Sequence, residues 1–172
     1  MGYSSESAKV KDMPHVMKYI TGRVADVACG TQKITPDAIG IDGKPLPGVD
    51  KVYHDLWLTH EHSGTFDTIF SSHFLEHTRN PCDYILNWHA HLNPGGHLVL
   101  YLPEKSAYNN FENPEHLHNW SYDDFMFWFK RSFCGDGKDY RGEHLAKLFE
   151  LVDHSLDLGE DRYSFYVIAR KV

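Results

Sequence analysis

The segment SSHFLEHT at positions 71–78 sets His73 and His77 four residues apart, with Glu76 just before the second. Read as H-x-x-E-H, this is a zinc-hydrolase pattern, in which two imidazoles hold the ion and the glutamate handles the proton. That reading needs a helix starting near His73 and a third ligand downstream. His89, His91, Glu104, His116 and His118 are the candidates. The preceding residues point elsewhere. TFDTIFSS has the composition of a strand, so His73, Glu76 and His77 fall at a strand end rather than along a helix. Glu76 and His77 are then expected to tie the strand end to the segment after it, and His73 to face a pocket. No metal site is expected. A zinc-dependent hydrolase stays as the alternative reading.

Other chemically useful residues also follow strand-like runs. RVADVACG reads as a short buried strand entering a tight turn, and it carries Asp26, Ala28, Cys29 and Gly30. DAIGID ends in Asp42, placed to accept hydrogen bonds from a diol. KVYHDLW supplies Asp55 and Leu56, and the fourth strand ends in Ser71, Ser72 and His73. After a fifth apolar run, HLVLYLP, the loop ENPEHLHNW offers His116, His118 and Trp120, which could bind or deprotonate a substrate. In an open α/β sheet, ligands bind beyond the carboxyl ends of the strands, which is where these residues fall.

The elements that must position them are legible in outline. Val10, Met13, Met17 and Ile20 have helical spacing, with Gly22 as a stop and Pro14 suited to a first turn. PCDYILNWHAHLN puts Tyr84, Ile85, Trp88 and Leu92 on one helical face before PGG, with His89 and His91 at the surface. SYDDFMFWFKRSF opens with Ser121 as N-cap, and its aromatic run is expected in the core. YRGEHLAKLFE suggests one more helix, and the tail suggests a hairpin turning near Gly159. HEH at 60–62 reads as a solvated loop. Strands interleaved with helices and closed by a hairpin predict a single α/β domain over 1–172. Its sheet is expected to be Rossmann-like, open and mostly parallel, with an antiparallel end.

Composition narrows the partners. The net charge is −7 and no basic stripe interrupts it, which argues against a nucleic acid. No apolar run is long enough for a bilayer, and the first residues lack the apolar core of a secretory signal. Cys29, Cys82 and Cys134 are scattered and odd in number, which suits a reducing compartment, the cytoplasm. The sequence does not set the oligomeric state.

The order of these motifs resembles the class I S-adenosylmethionine-dependent methyltransferases over about residues 23–103. VADVACGTQ is similar to the nucleotide-loop motif, FDTIFSSHFLEH to the fourth-strand motif, and LNPGGHLVLYLP to the turn and fifth strand. Only residues 31–37 link the loop to the second strand, a span of about 23 Å when extended and too short for the usual helix. With GKPLPGVDKVYHDLW, this is similar to a small "type 11"-like subgroup associated with sugar and polysaccharide pathways.

The resemblance implies S-adenosyl-L-methionine as cofactor and methyl transfer to a small molecule, such as a sugar or sugar-linked intermediate. It implies that Asp26, Ala28, Cys29 and Gly30 line the methionine end and that Asp42 binds the ribose. Asp55 and Leu56 would meet the adenine, and Ser71, Ser72 and His73 would lie by the sulfonium. His73, His116 and His118 become candidate bases. Ala28 and Gln32 stand where the family has glycine, and Ala28 suits the loop only if its φ is negative. Lys33, Lys44 or the N-terminal helix would have to replace what the missing helix supplies. The altered loop also admits a non-catalytic binding module.

Overall fold

A computed structural model describes residues 6–59, 65–108 and 113–172. The HEH segment lies outside the described residues. The described elements are helices α1 (Ser7–Lys11), α2 (Pro14–Met17), α3 (Pro81–His91) and α4 (Tyr122–Phe133), with seven strands. The strands are β1 (Val24–Val27), β2 (Ile39–Asp42), β3 (Lys51–Val52), β4 (Phe66–Ser72), β5 (Leu92–Pro103), β6 (Phe149–Gly159) and β7 (Arg162–Lys171). They form one sheet in the order β3-β2-β1-β4-β5-β7-β6. The β3-β2-β1-β4-β5 part is parallel, and β7 runs antiparallel to both β5 and β6. This is the expected open Rossmann-like sheet with a terminal hairpin.

The central strands are apolar on both sides because both faces are covered. On one face α3 and α4 pack Ile85, Trp88, Phe125 and Phe129 against Ala25, Val27, Ile69, Leu98 and Leu100. On the other, α1 and α2 bring Val10, Met13 and Val16 against Val24, Phe70, Val99 and Ile168. The predicted N-terminal helix is two helices. Pro14 has no N–H to donate and forces Met13 out of the helical region, at φ −110° and ψ 82°, so a new helix starts with proline in its first turn. Gly22 is not its cap. It sits at φ +69° in the turn into β1, where a Cβ would clash with the Asp67 carboxylate.

The predicted helix over 140–150 is also absent. The Asp139 carboxylate accepts from the N–H groups of Arg141 and Glu143, and Gly142 takes φ +84°, so the chain turns instead. Residues 140–147 are exposed and offer no stripe for a helix to bury.

No helix joins β1 to β2, as the short link requires, and none joins β2 to β3 or lies among the described residues between β3 and β4. Side chains hold these links down. Asp26, fully buried in β1, accepts from the Ile34 N–H at 2.5 Å, and Ile34 and Ala38 then pack under α1 and α2. Asp50 accepts from the Gly40 N–H at 2.8 Å and from Lys33 at 2.9 Å. Asn87 of α3 exchanges two 3.0 Å bonds with the Leu58 backbone, and His91 reaches the Thr59 carbonyl at 2.6 Å. His91 is therefore buried rather than at the surface.

Burial pushes the Asp26 carboxyl up to about 7, with the Ile34 N–H opposing. An acid raised in the fold binds its proton more tightly folded than unfolded, so its ionisation removes stability as pH rises from about 4 to about 7. Asp26→Asn keeps an acceptor for Ile34 and abolishes this loss. In denaturant titrations its stability relative to wild type is expected to grow across that window by on the order of 4 kcal/mol. A difference that stays constant with pH would refute it.

Candidate functional site

The carboxyl ends of β1, β2 and β4 open into a cavity of about 490 Å³, within the usual range for small-ligand sites. Ala28, Gly30, Asp42, Leu56, Ser72 and His73 line it, so six of the residues expected from sequence converge. The loop after β1 is pinned from β2: the Ile41 carbonyl accepts from the Ala28 N–H at 2.8 Å and the Cys29 N–H at 3.2 Å. One Asp42 oxygen accepts from the Gly30 N–H at 3.0 Å and the other from the Lys44 N–H at 3.1 Å. The carboxylate thus keeps a fixed orientation at the cavity wall.

Several expected residues lie elsewhere. Asp26 pairs with Gly40, two residues or about 7 Å behind Ala28, and its carboxylate serves Ile34 instead of the cavity. Cys29 is buried, its sulfur against Gly40, where a Cβ would come within 3.0 Å of the sulfur and 2.5 Å of the Gly48 carbonyl. Burial, then the Asp26 and Asp42 charges, push its thiol up to about 12, so it carries no thiolate chemistry. Ser71 points away from Ser72, as alternation in a strand requires. Asp55 lines a neighbouring depression of about 450 Å³ that shares Leu56, Phe74 and His77 with the first. Its carboxylate accepts from the Trp57 N–H at 3.1 Å.

Ala28 does take positive φ, contrary to the condition set by its Cβ. Among the described residues four non-glycines have positive φ, and three of them, Ala28 at 61°, Leu56 at 56° and His73 at 49°, line this cavity. Such backbone costs about 1–3 kcal/mol per residue and gathers at ligand sites.

His73 is mostly enclosed. Its N–H donates to the Tyr101 carbonyl, and its Nε2 lies 2.9 Å from Ser164 Oγ. Burial, then the Lys9 charge, hold its imidazole down to about 3, so it is neutral and a weak base. His116 is also held down, to about 4, by burial and then by His77. His118 stays outside the cavity: its Nε2 donates to the Thr78 carbonyl at 2.8 Å, and its ring stacks on Trp120 at 4.6 Å. Neither His73 nor His116 has the near-neutral titration expected of a base.

Glu76 and His77 form a single 3-10 turn, Leu75–His77, after β4. They tie the end of β4 not to the segment after it, as expected, but to the loop after β5. The Glu76 carbonyl accepts from the Leu117 N–H at 2.7 Å and the His118 N–H at 3.1 Å, and His77 Nδ1 donates to the Glu115 carbonyl at 3.1 Å. His77 and Glu115 also line the cavity.

Sequence reasoning did not name Glu6, Ser7, Leu46 or Phe74 as lining residues. Of the expected substitutes for the missing helix, Lys44 and the N-terminal segment reach the cavity, while Lys33 is committed to Asp50. Ser7 at the start of α1 has no local signal, because only the packing of α1 on the sheet brings it there.

The family described as "Methyltransferase domain" matches residues 12–154. No curated protein matches the chain. A Mesorhizobium loti S-adenosylmethionine-dependent methyltransferase is 14% identical with a TM-score of 0.64, covering 96% of this chain and 100% of that one. A Burkholderia thailandensis N-methyltransferase, solved with 1,6-didemethyltoxoflavin and S-adenosylhomocysteine, is 14% identical with a TM-score of 0.69, covering 98% and 79%. An Archaeoglobus fulgidus counterpart is 16% identical with a TM-score of 0.60, covering 96% and 94%. At these identities the solved structures establish likeness of fold.

Ala28→Gly removes a left-handed penalty of about 1–2 kcal/mol and adds about 0.5–1 kcal/mol of unfolded-chain entropy. The expected outcome is a melting temperature higher by about 1–4 °C. A lower one would show that the Ala28 methyl group contributes more packing than its backbone loses in strain.

Proposed function

This chain belongs to the methyltransferase-domain family, as a class I S-adenosylmethionine-dependent enzyme, and from that premise we propose that its cavity aligns the cofactor with a small-molecule acceptor. The observation that carries the reading is the convergence of Ala28, Gly30, Asp42, Leu56, Ser72 and His73 at the carboxyl ends of three parallel strands. The residues fit the cofactor. A fixed carboxylate is there for the ribose diol, backbone at Ala28 and Gly30 comes close to the opening, and the Ser72 hydroxyl is buried with no partner among the described residues.

When bound, S-adenosylmethionine supplies a methyl group already activated on a sulfonium, so the protein's work is alignment and exclusion of water. Asp42 accepts from the ribose hydroxyls. Leu56 packs against the adenine, with Asp55 reachable across the shared wall for its exocyclic amine. Ser72 and His73, which line the cavity at the end of β4, would flank the reacting carbon. Asp26, Cys29 and Ser71 support this arrangement from behind. The acceptor enters on the side of His77 and Glu115.

The charge of −7 supports a small acceptor over a nucleic acid, and the family resemblance favours a sugar or sugar-linked compound. Cys29, Cys82 and Cys134 are unpaired, which supports a cytoplasmic setting. No helix among the described residues is long and apolar enough to cross a membrane.

Calorimetric titration with S-adenosylmethionine and S-adenosylhomocysteine tests the reading. Both are expected to saturate one site, and Asp42→Ala to weaken both by about 10–100-fold, the loss of charge-assisted bonds. Asp42→Asn removes the charge but keeps one carbonyl oxygen, which can still accept from either the Gly30 or the Lys44 N–H. Folded protein that binds neither compound would sink the proposal.

A further inference from the structure

We propose that Glu76, His77 and His116 form a binding site for one divalent transition-metal ion beside the cofactor cavity, with His73 as a fourth donor. One ligand atom from each of Glu76, His77 and His116 lies within 4.8 Å of the others. A second observation points the same way. Glu76 is fully buried, and neither of its carboxylate oxygens has a hydrogen-bond partner among the described residues. A carboxylate in that position is costly unless a cation or a proton meets it. The atoms facing it are imidazole nitrogens, with His73 Nδ1 at 3.7 Å and His77 Nε2 at 3.9 Å from Glu76 Oε1.

The hydrogen bonds on the far sides of these rings prepare them as ligands. A carbonyl can only accept, so the Glu115 carbonyl fixes the proton of His77 on Nδ1 and leaves the Nε2 lone pair toward Glu76. Ser164 Oγ engages His73 through Nε2 and likewise leaves Nδ1 toward the carboxylate. His116 stands edge-on to His77, ring centroids 4.5 Å apart, on the segment that folds back over the 3-10 turn. Ligand atoms on a tetrahedral ion with bonds near 2.1 Å are about 3.4 Å apart. Side-chain shifts of about an ångström reach that spacing.

A donor set of imidazoles with one carboxylate suits manganese, iron, cobalt, nickel or zinc over magnesium or calcium. It differs from the hydrolase pattern considered for the sequence. The motif forms a 3-10 turn rather than a helix, and Glu76 is a ligand in place of a base. His73 and His77 also line the cavity, so an ion that expands beyond these four donors would take its added ligand from that side. An acceptor hydroxyl or vicinal diol could complete the shell. This acceptor role rests on the methyltransferase reading; the ion site does not.

The test is titration of chelator-treated full-length protein with Co²⁺, followed by visible d–d absorption, with S-adenosylhomocysteine binding measured on the same samples. One equivalent of Co²⁺ is expected to bind. Its affinity should fall by roughly 100-fold or more in His116→Ala, His77→Ala and Glu76→Gln. His144→Ala, on a remote turn, should leave it unchanged, and His116→Ala should still bind S-adenosylhomocysteine. Wild-type protein that unfolds cooperatively yet binds no Co²⁺, or binding that survives all three ligand substitutions, overturns the proposal. Stoichiometric Co²⁺ binding without S-adenosylhomocysteine binding would uphold the ion site and refute the cofactor reading instead.

Discussion

The short path from β1 to β2 is the constraint on which the rest of the structure depends. Residues 31–38 contain no helix, so that stretch of the sheet must be covered by other means. The buried Asp26 carboxylate solves this by holding the Ile34 N–H, which turns Ile34 and Ala38 onto the sheet under α1 and α2. Placing a carboxyl group in a fully buried position opposes its ionisation, and the backbone bond only partly offsets that. The arrangement brings the N-terminal segment across the strand ends, so that Glu6 and Ser7 become walls of the cavity.

Much of the fold was legible because strand and helix periods are local. The five parallel strands, the terminal hairpin, the Ser121 cap and the missing first crossover helix all follow from neighbouring residues. The failures share a cause. Asp26 has the look of a strand-end acid, but its role is decided by a backbone N–H eight residues away. The stretch 140–150 has helical composition, but residues 140–147 present no apolar stripe to bury, so the Asp139 turn prevails. Residues of α1 could not be assigned to the cavity, since sequence spacing says nothing about where a helix docks.

The site combines legible chemistry with illegible geometry. Asp42, Gly30 and Ser72 converge as their strand ends predict. Nothing in the residue types announces that Ala28, Leu56 and His73 all adopt left-handed backbone there. Nor does sequence show that His73 and His116 are too enclosed to hold protons near neutrality. The same enclosure makes them better donors of lone pairs than of basicity. This changes the question about HFLEH from which residue removes a proton to what the imidazoles and Glu76 jointly hold.

The two ends of the sheet differ in a way that bears on self-association. β3 is a two-residue edge, too short to template another strand. β6 is an eleven-residue edge with Val152, Leu156 and Leu158 partly exposed, a profile that invites strand addition. Its ladder is broken by a bulge between Leu151 and Asp153, and Asp153 and Asp157 are held inward by Tyr166, Tyr101 and Arg162. A bulged strand carrying inward acids is a poor surface for a second chain. The ion pair and tyrosine contacts of the last hairpin thus also act as gatekeepers against edge-to-edge growth of the sheet.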